Sequence, residues 1–154
     1  MTVADVVSRS KVFAGMRRDQ VEYLASCGSF CRYPADAAIF LQGQAAEHFY
    51  LLRSGSVVLR AYKLGRGKVP IETLRAGQAL GWSWLFPPYR WQFDAVALEP
   101  VAAVAFDGAC LRGKSGRDPE FGYQMMSRFA ELMLQRLVAT RAQLLDSAAG
   151  AIPE

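Results

Sequence analysis

The chain has one histidine and three cysteines, Cys27, Cys31 and Cys110, with no CxxC pair. So few nitrogen and sulfur donors exclude the usual zinc sets. His48 heads an apolar segment with no histidine companion, and reads as a surface or hydrogen-bonded residue rather than a metal ligand. Cys27 and Cys31 are near enough in sequence to form a redox pair, but buried reduced thiols are the expectation. No run of about eighteen apolar residues occurs, and residues 1–15 mix charged and apolar positions without the apolar block of a signal peptide. The expected location is the cytoplasm, with no membrane association. No serine or cysteine stands in a nucleophile motif and no carboxylate pair is marked by spacing, so an enzyme is not expected. A basic tract is missing too: the net charge of +4 comes from 18 basic and 14 acidic residues, with arginines scattered from Arg9 to Arg141. That argues against direct nucleic acid binding.

What is present is apolar content, 52% of 154 residues, enough for one globular domain spanning 1–154. Residues 1–28 read as helical, with Val3, Val6 and Val7 in one segment and Val21, Leu24 and Ala25 in a second after Gly15, ended by Gly28. From 29 to 107 the pattern changes to short apolar runs, 30–33, 38–41, 49–53, 56–62, 69–74, 93–98 and 101–106. Gln42-Gly43, Ser54-Gly55, Gly65-Arg66-Gly67, Ala76-Gly77 and Glu99-Pro100 supply turn chemistry between them. The spacing predicts a mainly β fold, an antiparallel sandwich or jelly roll with flanking helices.

Residues 108–146 read as C-terminal helices. Asp118-Pro119-Glu120 supplies an N-cap, a proline at the first helical position and an acid in the first turn of a long helix to about Asp146. Met126, Met133 and Thr140 recur every seven residues, as do Ala130, Leu137 and Leu144, an a/d seam suited to a second copy of the chain, the alternative being that both stripes of the helix pack on one core. A second stripe, Phe121, Met125, Phe129 and Leu132, covers the sheets.

The segment Gly77 to Trp91 gathers all three tryptophans, a Pro87-Pro88 pair and Arg90. Gly81 followed by a short turn capped by Ser83 would aim backbone N–H groups at an anion. Trp82, Trp84 and Trp91 offer stacking faces for a flat ligand, or fill the pocket themselves, and the filled pocket is the slightly favoured expectation.

Helices, a β-roll with glycine-marked turns and a long final helix form an order that resembles the cyclic nucleotide-binding domain of the catabolite-activator family and of kinase regulatory subunits. Three segments carry the resemblance, within residues 10–146: Ile39 to Gly43, His48 to Val57, and Gly77-Gln-Ala-Leu-Gly81, which stands at the glycine-led entry to the family's phosphate-binding cassette. The resemblance implies an antiparallel β-roll and a regulatory role. In the family's nucleotide binders, a glutamate after the cassette glycine takes the ribose hydroxyl and an arginine about ten residues later pairs with the cyclic phosphate. Here Trp82 follows Gly81, the arginine position falls on Trp91, and Arg90 lies one residue away. A one-residue shift along a strand points a side chain to the opposite face, so Arg90 serves a phosphate only if a bulge reorients it. Asp94 adds a charge that a phosphate disfavours.

Losing the phosphate partner removes about 1.5–3 kcal/mol and losing the ribose acceptor roughly 1 kcal/mol more. At ~1.4 kcal/mol per decade that is roughly two to three decades of affinity. The expected protein is a regulatory or sensory module with a degenerate cassette, taking a non-standard small ligand or none; cyclic AMP and cyclic GMP are admitted but disfavoured. Gly81, Trp82, Ser83, Trp84, Arg90 and Trp91 are the candidate ligand-binding residues. Met126, Ala130, Met133, Leu137, Thr140 and Leu144 are the candidate homodimer contacts. Two alternatives stand beside this: a structural subunit whose pocket is plugged and whose Pro87 to Trp91 surface docks a protein partner, or a true cyclic nucleotide receptor using Arg90. Only Ser147 to Glu154 follow the long helix, so an operator-binding helix-turn-helix domain is not expected.

Overall fold

The computed structural model describes residues 1–151. Helix α1, Val3–Arg9, is opened by a Thr2–Asp5 capping box, and a 3-10 turn at Lys11–Phe13 leads to α2, Arg18–Ala25. Eight strands follow: β1 Gly28–Tyr33, β2 Ala38–Phe40, β3 His48–Ser54, β4 Ser56–Lys63, β5 Gly67–Arg75, β6 Ala79–Leu80, β7 Asp94–Ala97 and β8 Val101–Asp107. All seven apolar runs are strands. The eighth strand, β6, is two residues long, too short to leave a periodic signal. Gly28 does not end a helix; it begins β1, paired with Phe106 of β8.

The strands form two antiparallel four-stranded sheets, ordered β1-β8-β3-β6 and β2-β7-β4-β5. At the turn between β3 and β4, Gly55 has φ +84° and any Cβ there would lie 2.3 Å from the Pro100 carbonyl oxygen, so only glycine fits. In the first sheet β3 and β8 are buried on both faces, which is why they read as continuous apolar runs rather than alternating ones. Phe49 and Leu51 of β3 and Val104 and Phe106 of β8 face the helices, while Tyr50, Leu52, Ala103 and Ala105 face the second sheet. The small Ala103 and Ala105 leave space inside the roll for large rings from elsewhere.

Helices α3, Gly108–Arg117, and α4, Pro119–Ala151, complete the chain. Asp118 caps α4, its Oδ1 accepting from the Phe121 N–H at 3.2 Å. Phe121, Met125 and Phe129 are buried against Trp84, Phe49 and the N-terminal helices, as the second stripe predicted. The thiol expectation fails for two of the three cysteines: Cys27 is bonded to Cys110, 83 residues away, and not to Cys31. Cys31 alone is free; burial pushes its thiol upward against a Tyr33 contact that lowers it.

Candidate functional site: a filled cassette

The cassette hangs between two hydrogen-bonded strips. At its start the Gly77 N–H donates to the Leu52 carbonyl (2.8 Å) and the Leu52 N–H to that of Gln78 (3.0 Å), which aligns β6 along β3. At its end residues 89–91 run antiparallel to 43–46: Ala46 N–H to Tyr89 O at 2.7 Å, Trp91 N–H to Gln44 O at 3.0 Å, and Gly43 N–H to Trp91 O at 2.9 Å. This pairing has extended geometry, so consecutive side chains leave on opposite faces. Trp91 points in, and Arg90 points out.

Inside the roll Trp91 is 3% exposed and stacks on Phe40, ring centroids 3.6 Å apart and planes within 7°. Tyr50 lies beyond Phe40 at 6.3 Å. Burial, and then Tyr33, push the Tyr50 phenol well above its ordinary value, so this polar tip stays neutral. The indole reaches Gly81, whose φ is +96°; a Cβ on residue 81 would lie 2.5 Å from the Trp91 ring.

No bulge reorients Arg90. Its guanidinium is exposed and donates to the Gly43 carbonyl at 2.9 Å, bracing the turn after β2. Ser83 does not cap the cassette turn. It is the first residue of a single 3-10 turn, Ser83–Leu85, in which Trp82 occupies the cap position without a side-chain hydrogen bond. Trp84 does not line the roll interior: it is buried on the far side of the first sheet, 5.5 Å from Phe49 and edge-on to Phe129 of α4 at 5.2 Å. Its carbonyl accepts from Arg112 of α3 at 2.5 Å. Trp82 is half-buried beside the same helical core. Of the six candidate ligand residues, the geometry brings only Gly81 and Trp91 together inside the roll.

These folded-in neighbours have no local signal in the sequence. Phe40 is Trp91's stacking partner across 51 positions of chain. Asp94 is another surprise: it is buried on β7, accepting from the Gln42 N–H at 2.7 Å and from Lys68 Nζ of β5 at 2.5 Å. Burial raises its pKa, but the Gln42 amide and the Lys68 ammonium outweigh that and hold the carboxyl below its ordinary value. The charge of Asp94 is thus balanced by Lys68 from two strands away, across β4. Its carboxylate clamps the turn after β2 to β5 and β7.

The roll, its glycine-led cassette and the covering helices have a counterpart in one family: residues 30–115 match the cyclic nucleotide-binding domain. The chain belongs to that family. No curated protein matches it in sequence. A protein of Geobacter metallireducens described as a cyclic nucleotide-binding protein is 26% identical, over 89% of this chain and 99% of its own, with a TM-score of 0.79. A cyclic nucleotide-binding domain from Methylobacillus flagellatus shares the fold over 99% of this chain and 84% of its own, at a TM-score of 0.82 and 19% identity. The catabolite activator protein of Thermus thermophilus is 25% identical, over 88% of this chain and 62% of its own, with a TM-score of 0.69. As a member of this family, the chain is a cyclic nucleotide-binding-type regulatory domain. No described helix is long and apolar enough to cross a membrane.

Proposed function

We propose that this domain is a regulatory module whose inherited nucleotide pocket is closed by its own side chain, and that it acts through protein contacts rather than by taking up cyclic AMP or cyclic GMP. The observation that carries this reading is the Trp91 ring, stacked on Phe40 and abutting Gly81 in the space where the resemblance puts a phosphate-binding arginine. Trp82 stands where the ribose-binding glutamate would be, and Arg90, bound to Gly43, faces away from the roll. A ligand entering the roll would have to displace a packed indole. Removing so large a buried ring costs about 3–5 kcal/mol, and a cyclic nucleotide without its two anchoring contacts has little to offset it.

Calorimetric titration tests this. Neither cyclic AMP nor cyclic GMP is expected to bind with micromolar affinity, and micromolar or tighter binding of either would overturn the reading.

The long helix supplies the protein contact. At 33 residues α4 extends about 50 Å, and its residues from Leu137 to Ser147 are exposed. Met126, Leu134, Leu137, Val138, Leu144 and Leu145 form an apolar stripe with no cover from the roll. A stripe this long, apolar at heptad spacing, fits the same stripe on a second copy, and a homodimer through α4 is part of this proposal. The seam is narrower at one place than its spacing suggested, because Met133 is half-buried against the helical core.

A further inference from the structure

We propose that the Cys27–Cys110 disulfide is a reversible redox site that locks α3, and with it the root of α4, to the N-terminal helices. The inference does not depend on whether the roll binds a ligand.

The bond lies at one end of a line of contacts crossing three helices. Cys110 and Lys114, one turn apart on α3, both face the end of α2. Lys114 Nζ donates to the Tyr23 carbonyl at 2.8 Å and to the Ser26 hydroxyl, and sits 4.2 Å from the centre of the Tyr23 ring. Tyr23 in turn meets Phe121, in the first turn of α4, edge-on at 4.9 Å. The disulfide is the covalent member of this seam. The others are a hydrogen-bonded ammonium and an aromatic pair, each able to yield.

Two features make the bond reversible. Cys110 is half-buried while Cys27 is buried, so the Cys110 side is the one an external thiol approaches. The backbone holds the two cysteines together whatever the state of the sulfurs: the Cys27 carbonyl accepts from the Asp107 N–H at 2.9 Å, and the Asp107 carboxylate caps α3 by accepting from the Cys110 N–H at 2.8 Å. Once reduced, the thiols stay side by side, and molecular oxygen re-oxidises them in an intramolecular closure, two electrons and two protons passing from the thiol pair to the oxygen, which leaves as hydrogen peroxide. Helix α3 keeps its hold on the roll through buried Leu111 and the Gly108 N–H to Glu47 carbonyl bond at 2.7 Å. Reduction therefore loosens the seam without detaching the helix.

The chemistry is thiol–disulfide exchange with a dithiol reductant. Its thiolate attacks Cys110 Sγ, the S–S bond breaks, and Cys27 leaves as a thiolate that takes up a proton. The reductant's second thiol then attacks the mixed disulfide and releases the Cys110 thiol. The reductant ends as its own disulfide, and two electrons and two protons have passed to the protein.

The test is thiol counting joined to amide hydrogen exchange on the full chain. Denatured without reductant after air oxidation, the protein is expected to titrate one thiol, that of Cys31; three would overturn the proposal. Excess dithiothreitol added to the folded protein is expected to bring the count to three and to speed exchange in Gly108–Arg117 and the last turn of α2 about tenfold or more, leaving β3 and β8 unchanged. Removing the dithiothreitol in air-saturated buffer should restore both readings. A bond that yields only after denaturation, or reduction that leaves α3 exchange unchanged or unfolds the whole domain, would overturn it. Cys110→Ser should show the fast exchange from the outset and no response to dithiothreitol; a slow, wild-type pattern in that variant counts equally against the lock.

Discussion

The ring of Trp91 lies where a side chain on Gly81 would have to go, 2.5 Å from the position of a Cβ, so one residue's size fixes the other's. This pair forms part of the packed interior of the roll, and its energetics can be separated. Gly81→Ala adds strain at φ +96°, of order 1–3 kcal/mol, and an overlap with the indole worth a further 1–3 kcal/mol or so. In a Trp91→Ala background the overlap vanishes and the backbone strain stays. A double-mutant cycle by urea unfolding should therefore give a coupling of about 1–2 kcal/mol. Additive effects would mean that the two residues do not touch.

Arg90→Ala is expected to change little. The guanidinium is exposed and makes one bond to the Gly43 carbonyl, so the stability loss should be about 1 kcal/mol or less. Any ligand found to bind this domain should bind the variant equally; a tenfold loss of affinity would return Arg90 to the site.

Asp94 gives the fold a predictable acid limb. Its folded-state pKa lies below the unfolded value, so the folded state binds fewer protons. Its contribution is fully present above the ordinary carboxylate value of about 4 and disappears as pH falls through the depressed one. Asp94→Asn should cost about 1–3 kcal/mol at neutral pH, by weakening the link to Lys68 and to the Gln42 amide. The penalty should shrink as pH drops below 4 or so. Denaturation followed across pH checks the sign: a variant equally destabilised at all pH values would remove Asp94 from the acid limb.

The α4 dimer is best tested at Leu137, which is 48% exposed and clear of the core. Leu137→Glu should leave the melting of a monomer unchanged while shifting sedimentation from dimer to monomer, because a carboxylate in an apolar seam costs several kcal/mol. Met133→Glu is a poorer test, since Met133 packs on the helical core and its loss would also lower stability. An unchanged sedimentation profile for wild type and Leu137→Glu would sink the dimer.

Local pattern and resemblance carried far. Seven of eight strands, the glycine turns, the Asp118 cap and the core stripe Phe121, Met125 and Phe129 follow from periodicity and turn chemistry, which act over a few neighbouring residues. The two-residue β6 and the start of β1 at Gly28 escaped, since a short pairing is created by its partner strand rather than by its own residues.

The sequence by itself determined that this is a β-roll with a long final helix and that all three tryptophans fall in one short segment, Gly77 to Trp91. Only the tertiary structure decided which side chains meet: Trp91 over Arg90 in the roll, Phe40 against Trp91, Lys68 on Asp94, Cys27 with Cys110. Each of these depends on pairings between segments far apart in the chain. In extended backbone a slip of one residue sends every side chain to the other face. Whether residue 90 or residue 91 entered the pocket was settled by the three hydrogen bonds that join 89–91 to 43–46.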